Sequence, residues 1–175
     1  MNRTTALWAG LLGFVAVAGL IVALAISPLF SHTVEKGAVA YADGDFPRAM
    51  AIFRPLAEDG DPAAQFYLGE MYRFGRGVKK DEARAALWYK KAANKGSPEA
   101  QYALGMMYAT GIGVAVDFVE SYRWLSLANF RLSPWETERR ERSVRTRDTI
   151  LRAMTQDDVD RAKSLVIAWD RKWQK

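Results

Sequence analysis

The chain repeats itself. Sliding the 175-residue sequence by 36 positions brings Gly60 onto Gly96, Ala64-Gln65 onto Ala100-Gln101, Leu68-Gly69 onto Leu104-Gly105 and Met71-Tyr72 onto Met107-Tyr108. The register continues through Gly75-Arg76-Gly77-Val78 onto Gly111-Ile112-Gly113-Val114, then Asp81 onto Asp117, Trp88 onto Trp124 and Ala92 onto Ala128. A fixed period between about 20 and 50 residues marks a solenoid of stacked units, none of which buries its apolar face alone.

Each period reads as two helices around a glycine turn. The first helices run from Pro62 to Phe74 and from Pro98 to Thr110, with Ala64, Leu68, Met71 and Tyr72 at i, i+4, i+7 and i+8 on one apolar face. Proline is tolerated in a first turn, where its missing N–H has no helical acceptor, and Asp61 or Ser97 just before it is a competent N-cap. Gly75 and Gly77, like Gly111 and Gly113, supply the positive φ that stops the helix, and Val78 or Val114 plugs the hairpin. Asp81 and Asp117 cap the second helices, predicted over 81–95 and 117–131. There Ala85 or Ser121 is the small packing residue and Trp88 or Trp124 the large one. A degenerate copy at 33–59 places Ala49, Phe53 and Gly60 36 residues before Ala85, Tyr89 and Gly96. Its turn is short: Tyr41 to Asp45 is four positions where Tyr72 to Asp81 is nine. Gly44 alone makes that turn, and Pro55 is expected to bend the helix that follows.

Leu68-Gly69-x-Met71-Tyr72, Gly75-x-Gly77-Val78-x-x-Asp81 and Ala85-x-x-Trp88-Tyr89-x-Lys91-Ala92-Ala93 resemble the Sel-one-like repeat family, a relative of the tetratricopeptide repeat. The resemblance covers 34–131, as a degenerate repeat 34–60 and full repeats 61–96 and 97–131. The third copy departs from the pattern, ending Trp124-Leu125-Ser126-Leu127-Ala128-Asn129 where the family usually shows Trp-Tyr-x-Lys-Ala-Ala. The resemblance implies an all-α, right-handed α-solenoid of helical hairpins acting as an adaptor, in bacteria often exported to the envelope.

The first 30 residues differ in kind. Ala6 to Phe30 carries no charge, and 25 helical residues reach about 37 Å, enough to span a bilayer. Residues 1–30 are therefore expected to be a transmembrane anchor, or a signal peptide cleaved at the Ala23-Leu24-Ala25 pattern. The resemblance then places the protein in a bacterial inner membrane with its repeats facing the periplasm, or soluble in the periplasm after cleavage. Only Ser31 to Thr33 separates the segment from the first repeat, so an anchored chain meets membrane-proximal partners.

Residues 133–175 are expected to be capping helices. Ser133-Pro134-Trp135-Glu136 reads as an N-cap, first-turn proline and capping-box glutamate opening a helix to about Met154. A last helix from Thr155 carries Val159, Ala162, Leu165, Val166 and Trp169 at helical spacing, suited to covering the end of the stack. Arg139, Arg140, Arg142, Arg145, Arg147 and Arg152 crowd the helix before it, with Glu136, Glu138, Glu141 and Asp148 interleaved for i,i+3 and i,i+4 pairing. It reads as a solvated helix; the sharper alternative is that the arginines meet an acidic protein or anionic headgroups.

Catalytic tools are scarce. The chain has no cysteine and one histidine, His32, which removes thiolate chemistry and almost every zinc or transition-metal site. No serine has a lysine three residues on, and no Gly-x-x-x-x-Gly-Lys phosphate loop occurs. A net charge of +5 spread over 25 basic and 20 acidic residues does not point to nucleic acid. The reading is a non-enzyme without metal or cofactor that binds a protein peptide or helix on the concave face of the first helices, through Gln65, Glu70, Arg73 and Gln101. A self-associating envelope component is the alternative, and a cell-wall-active enzyme a third reading.

Overall fold

A computed structural model describes residues 33–173, every regular element of which is a helix. The expected anchor or signal over 1–30 and His32 lie outside these residues. In chain order the helices are α1 (33–42), α2 (Phe46–Glu58), α3 (Pro62–Phe74), α4 (Glu82–Asn94), α5 (Pro98–Thr110), α6 (Phe118–Arg131), α7 (Thr137–Leu151) and α8 (Gln156–Trp173). Among them none is long and apolar enough to cross a membrane.

The helix limits follow from the caps. Asp61 accepts the Ala64 N–H at 2.8 Å and Ser97 the Ala100 N–H at 3.2 Å. Asp81 and Asp117 do the same for Arg84 at 2.9 Å and Glu120 at 3.0 Å. Each supplies an acceptor to a first-turn donor with no helical partner. At the other end Gly75 (φ 67°) and Gly111 (φ 74°) adopt the left-handed conformation and return their N–H groups to the Met71 and Met107 carbonyls.

Each helix packs on the next from α2 to α7, and α8 packs on α6. The inter-helix contacts obey the 36-residue register. A Cβ on Gly69 would sit 2.5 Å from the Tyr89 ring, and one on Gly105 2.8 Å from the Leu125 side chain, so glycine lets α3 approach α4 and α5 approach α6. Gly37 stands in the same relation to the Phe53 ring, at 2.5 Å. That pairing makes Gly37 the counterpart of Gly69 and shows the first hairpin to be four residues short. Gln65 and Gln101 donate their side-chain amides to the Ala57 and Ala93 carbonyls at 3.0 and 3.2 Å, tying the start of each repeat to the end of the one before.

Two apolar clusters result. One joins α1–α3 through Ala40, Ala49, Phe53, Leu56, Leu68 and Met71. The other joins α4–α6 and α8 through Tyr89, Leu104, Met107, Trp124, Leu127 and Trp169. Ala162 is fully buried in α8, which therefore covers the stack as expected.

Helix α7 differs from the expected helix at both of its ends. Ser133 does not cap α7: the Glu136 carboxylate accepts the Ser133 N–H at 3.1 Å while the Glu136 N–H donates to the Ser133 carbonyl at 2.9 Å. These bonds close a separate turn, and the helix begins at Thr137. It ends at Leu151 rather than Met154 because the Arg152 and Ala153 N–H groups bond three residues back, to Thr149 and Ile150. Pro55 sits inside α2, which runs unbroken to Glu58.

Candidate partner-binding groove

Helix α7 occupies the place of a first helix in a further repeat. It packs on α6 and reaches back to α5. Its buried Ser143 donates to the Leu125 carbonyl at 3.1 Å, as Ser121 donates to the Gly105 carbonyl at 2.8 Å. A hydroxyl in either interface satisfies an acceptor while keeping the helices close.

That placement creates a groove over α5. Near the helix N-termini, Ala63, Phe66 and Tyr67 of α3, Glu99 of α5 and Arg139 of α7 line one cleft of about 490 Å³. A cleft shared by α3 and α7, which flank α5, is a concavity. Further along, Met106, Ala109 and Thr110 of α5 meet Arg142, Thr146 and Ile150 of α7 around a second cleft of about 470 Å³.

The charges along this surface are distributed unevenly. Burial, then Glu99 and Glu70, push the Tyr67 phenol above its ordinary pKa, against the opposing pull of Arg139. Arg139 pairs with Glu136, the residue before α7, at 2.7 Å, and Arg142 pairs with Glu138 within the helix at 3.5 Å; both arginines remain open to solvent. Such pairs are worth roughly 0–1 kcal/mol and are readily exchanged for a better anion.

The residues expected to bind a partner divide in two. Gln65 and Gln101 are 3% and 0% exposed and spend their amides on backbone carbonyls, so they belong to the repeat interface and not to the groove surface. Glu70 and Arg73 are half-buried on α3. Glu70 accepts a hydrogen bond from the Tyr89 hydroxyl, whose pKa burial and then the Glu70 charge drive far above the tyrosine range. The Arg73 guanidinium lies 5.2 Å from the centre of the Phe74 ring. Gly75, Gly77, Gly111, Gly113, Asp81 and Asp117 fill the structural roles read from the repeat, and Trp124 is buried; Trp88 is half-buried at the edge of the first cluster. Sequence reasoning missed Phe66, Tyr67 and Met106, and it named Arg139 and Arg142 only as members of the arginine-rich helix, without placing them beside α3 and α5. The usable signal was the residue after each buried glutamine: Phe66 and Tyr102 follow Gln65 and Gln101, one step round the helix, and both remain partly exposed. Among the described residues no three acidic or histidine side chains are grouped to hold a metal.

Comparison with known proteins gives the same architecture. The family described as Sel1 repeat matches residues 62–97 and 98–129. The protective antigen c5321 of uropathogenic Escherichia coli, a protein displaying an SLR fold, superimposes with TM-score 0.68 at 31% identity, over 82% of this chain and 30% of its own. A Sel1 repeat protein from Oxalobacter formigenes superimposes with TM-score 0.54 at 32% identity, over 57% of this chain and 39% of its own. The chain thus spans only about a third of the length of these solved relatives. No curated protein matches it.

Proposed function

We propose that this chain, a Sel1-like repeat protein, is an adaptor of the bacterial cell envelope that holds a peptide or single helix of a partner in the groove over α5. Sel1 repeat proteins are in general protein–protein interaction scaffolds. The observation that carries the reading here is the groove itself: Phe66 and Tyr67 pack one side on the repeat core, against Tyr89 and Phe53, and together with Met106, Arg139 and Arg142 they leave aromatic, thioether and guanidinium surface open along the two clefts. Aromatic and arginine side chains are the usual energetic anchors of protein interfaces. The groove is only two repeats and one helix long, which suits an extended segment better than a globular domain. Envelope location rests on the uncharged stretch from Ala6 to Phe30, which leads into the first repeat with almost no linker.

Photo-crosslinking residues placed at Tyr67, Met106 and Arg142 are expected to capture one and the same partner segment, while the same residue at Leu87, 63% exposed on α4, captures none of it. Equal yields from Leu87 and the groove positions would reject the groove as the binding surface.

A second reading, self-association, is favoured by the capping end. Phe130 and Ile167 are 77% and 52% exposed, and with Leu127 and Val166 they line a cleft of about 520 Å³ between α6 and α8. Large apolar side chains gathered in the open mark contact surfaces. On that reading the sedimentation coefficient rises with protein concentration and Phe130→Glu abolishes the rise. A wild-type value independent of concentration dismisses it.

A further inference from the structure

A separate cleft of about 640 Å³ lies between α2 and the turn joining α3 to α4. Four cations, Arg54, Lys79, Lys80 and Arg84, surround it. Lys80 pairs with Glu82 at 2.8 Å and Arg84 with Asp81 at 3.2 Å, and Asp81 also spends an oxygen on the Arg84 N–H. Arg54 and Lys79 have no carboxylate partner among the described residues. The cleft therefore holds two positive charges in excess. Its floor includes the Tyr72 ring, over which the Arg84 guanidinium lies at 5.6 Å.

Surface cations are common, so the question is whether these belong to the fold. The 36-residue period answers it, because the next repeat has residues at each of the corresponding positions. Tyr72, Val78 and Asp81 recur there as Tyr108, Val114 and Asp117. These are the plug, the cap and the ring that the hairpin requires. The cations do not recur: Lys79, Lys80 and Arg84 become Ala115, Val116 and Glu120, and only Arg54 keeps its sign, as Lys90. The second copy folds with the same Asp cap and the same turn, so the hairpin has no need of the charges.

We propose that this cleft binds a phosphate-type oxyanion, with Arg54 and Lys79 supplying the uncompensated charge and Lys80 and Arg84 closing around it. A phosphate ester carries between one and two negative charges near neutral pH and offers several strong acceptors to guanidinium and ammonium donors. A cleft that is mostly polar, with Val78 its one aliphatic side chain, suits such a compact anion better than a peptide needing apolar anchors. The phosphate comes either as a free ion or ester or as a lipid headgroup, and the chemistry of the cleft is the same for both.

The repeat itself supplies the test variant, since Lys79→Ala with Lys80→Val copies the sequence of the next turn and should fold. Full-length protein labelled with 15N-arginine, in neutral detergent, is titrated with inorganic phosphate while the Nε–Hε signals of Arg54 and Arg84 are followed. Saturable shifts of both signals are expected, weakened about tenfold or more in the double variant and by added salt. Short-chain phosphatidylglycerol reproducing the shifts at lower concentration, where phosphatidylcholine does not, identifies a headgroup as the source; inorganic phosphate remaining the tighter ligand identifies a free phosphate. Absence of saturation, or equal titrations in the wild type and the double variant, overturns the proposal. So does a tetraglutamate peptide that shifts the signals at lower concentration than phosphate, which would make this a second peptide site.

Discussion

A Gly113→Ala chain is expected to melt roughly 10 °C below the wild type, whereas Gly44→Ala lowers the melting temperature by only a few degrees. Both glycines have positive φ, 71° and 80°, and alanine in that region costs about 1–2 kcal/mol by itself. The difference between them is what the new methyl meets. At Gly44 nothing lies within 4 Å, while at Gly113 the Cβ would stand 2.3 Å from the carbonyl oxygen of Glu82 and 2.5 Å from its carbon. Those atoms are backbone at the first residue of α4, so no rotamer change relieves the overlap, and overpacking adds about 1–3 kcal/mol or more. Gly77 repeats the arrangement 36 residues earlier against Phe46, the first residue of α2, but its closest approach is to a Cβ at 2.8 Å. Gly77→Ala should therefore fall between the other two. Thermal melts of the three variants check the order. A Gly113 variant no worse than the Gly44 variant would mean that the turn does not bear on the preceding repeat.

These contacts explain why the fold was largely legible and the groove less so. Repetition is a two-point measurement: a residue present at the same offset in two units is held there by something common to both. The two glycines of each turn separate on this basis, the first ending a helix and the second admitting the preceding repeat to close contact. Gln65 and Gln101 were legible in the same way but were assigned to the wrong surface. Their identity in both repeats was the sign of a structural duty, which proves to be the bond to Ala57 and Ala93. Binding surface behaves oppositely, because one partner is met by the whole stack and needs no periodicity. Tyr67 and Met106 have Ala103 and Glu70 as repeat counterparts, and Arg139 and Arg142 lie beyond the repeats altogether. Nothing in the period identifies such residues. The place of α7 in the stack was likewise hidden, since its sequence reads as a solvated arginine helix and only Ser143 and Ile150 are buried.

The same logic predicts unequal tryptophans. Trp88 and Trp124 occupy one repeat position, yet Trp124 is 1% exposed and Trp88 stays half-buried. Trp88 packs against the α1–α3 cluster, whose hairpin has the shortened turn, and the Lys91 ammonium lies over its open face at 3.9 Å. Trp124 sits within the α4–α6 cluster together with Trp169 of α8. Trp124→Ala is therefore expected to cost about 3–5 kcal/mol through lost contacts and the cavity left behind, against roughly 1–2 kcal/mol for Trp88→Ala. Trp124→Phe should be milder than either large truncation suggests, because the buried Nε1–H of Trp124 has no acceptor among the described residues and its removal relieves a desolvated donor. In a quasi-one-dimensional stack the loss should also be local. Hydrogen exchange in Trp124→Ala should accelerate across α5, α6 and α8 and leave α2 and α3 close to wild type. Uniform acceleration over all the helices would show that the two clusters unfold as one unit, and a Trp124→Ala chain as stable as Trp88→Ala would mean that burial does not rank these sites.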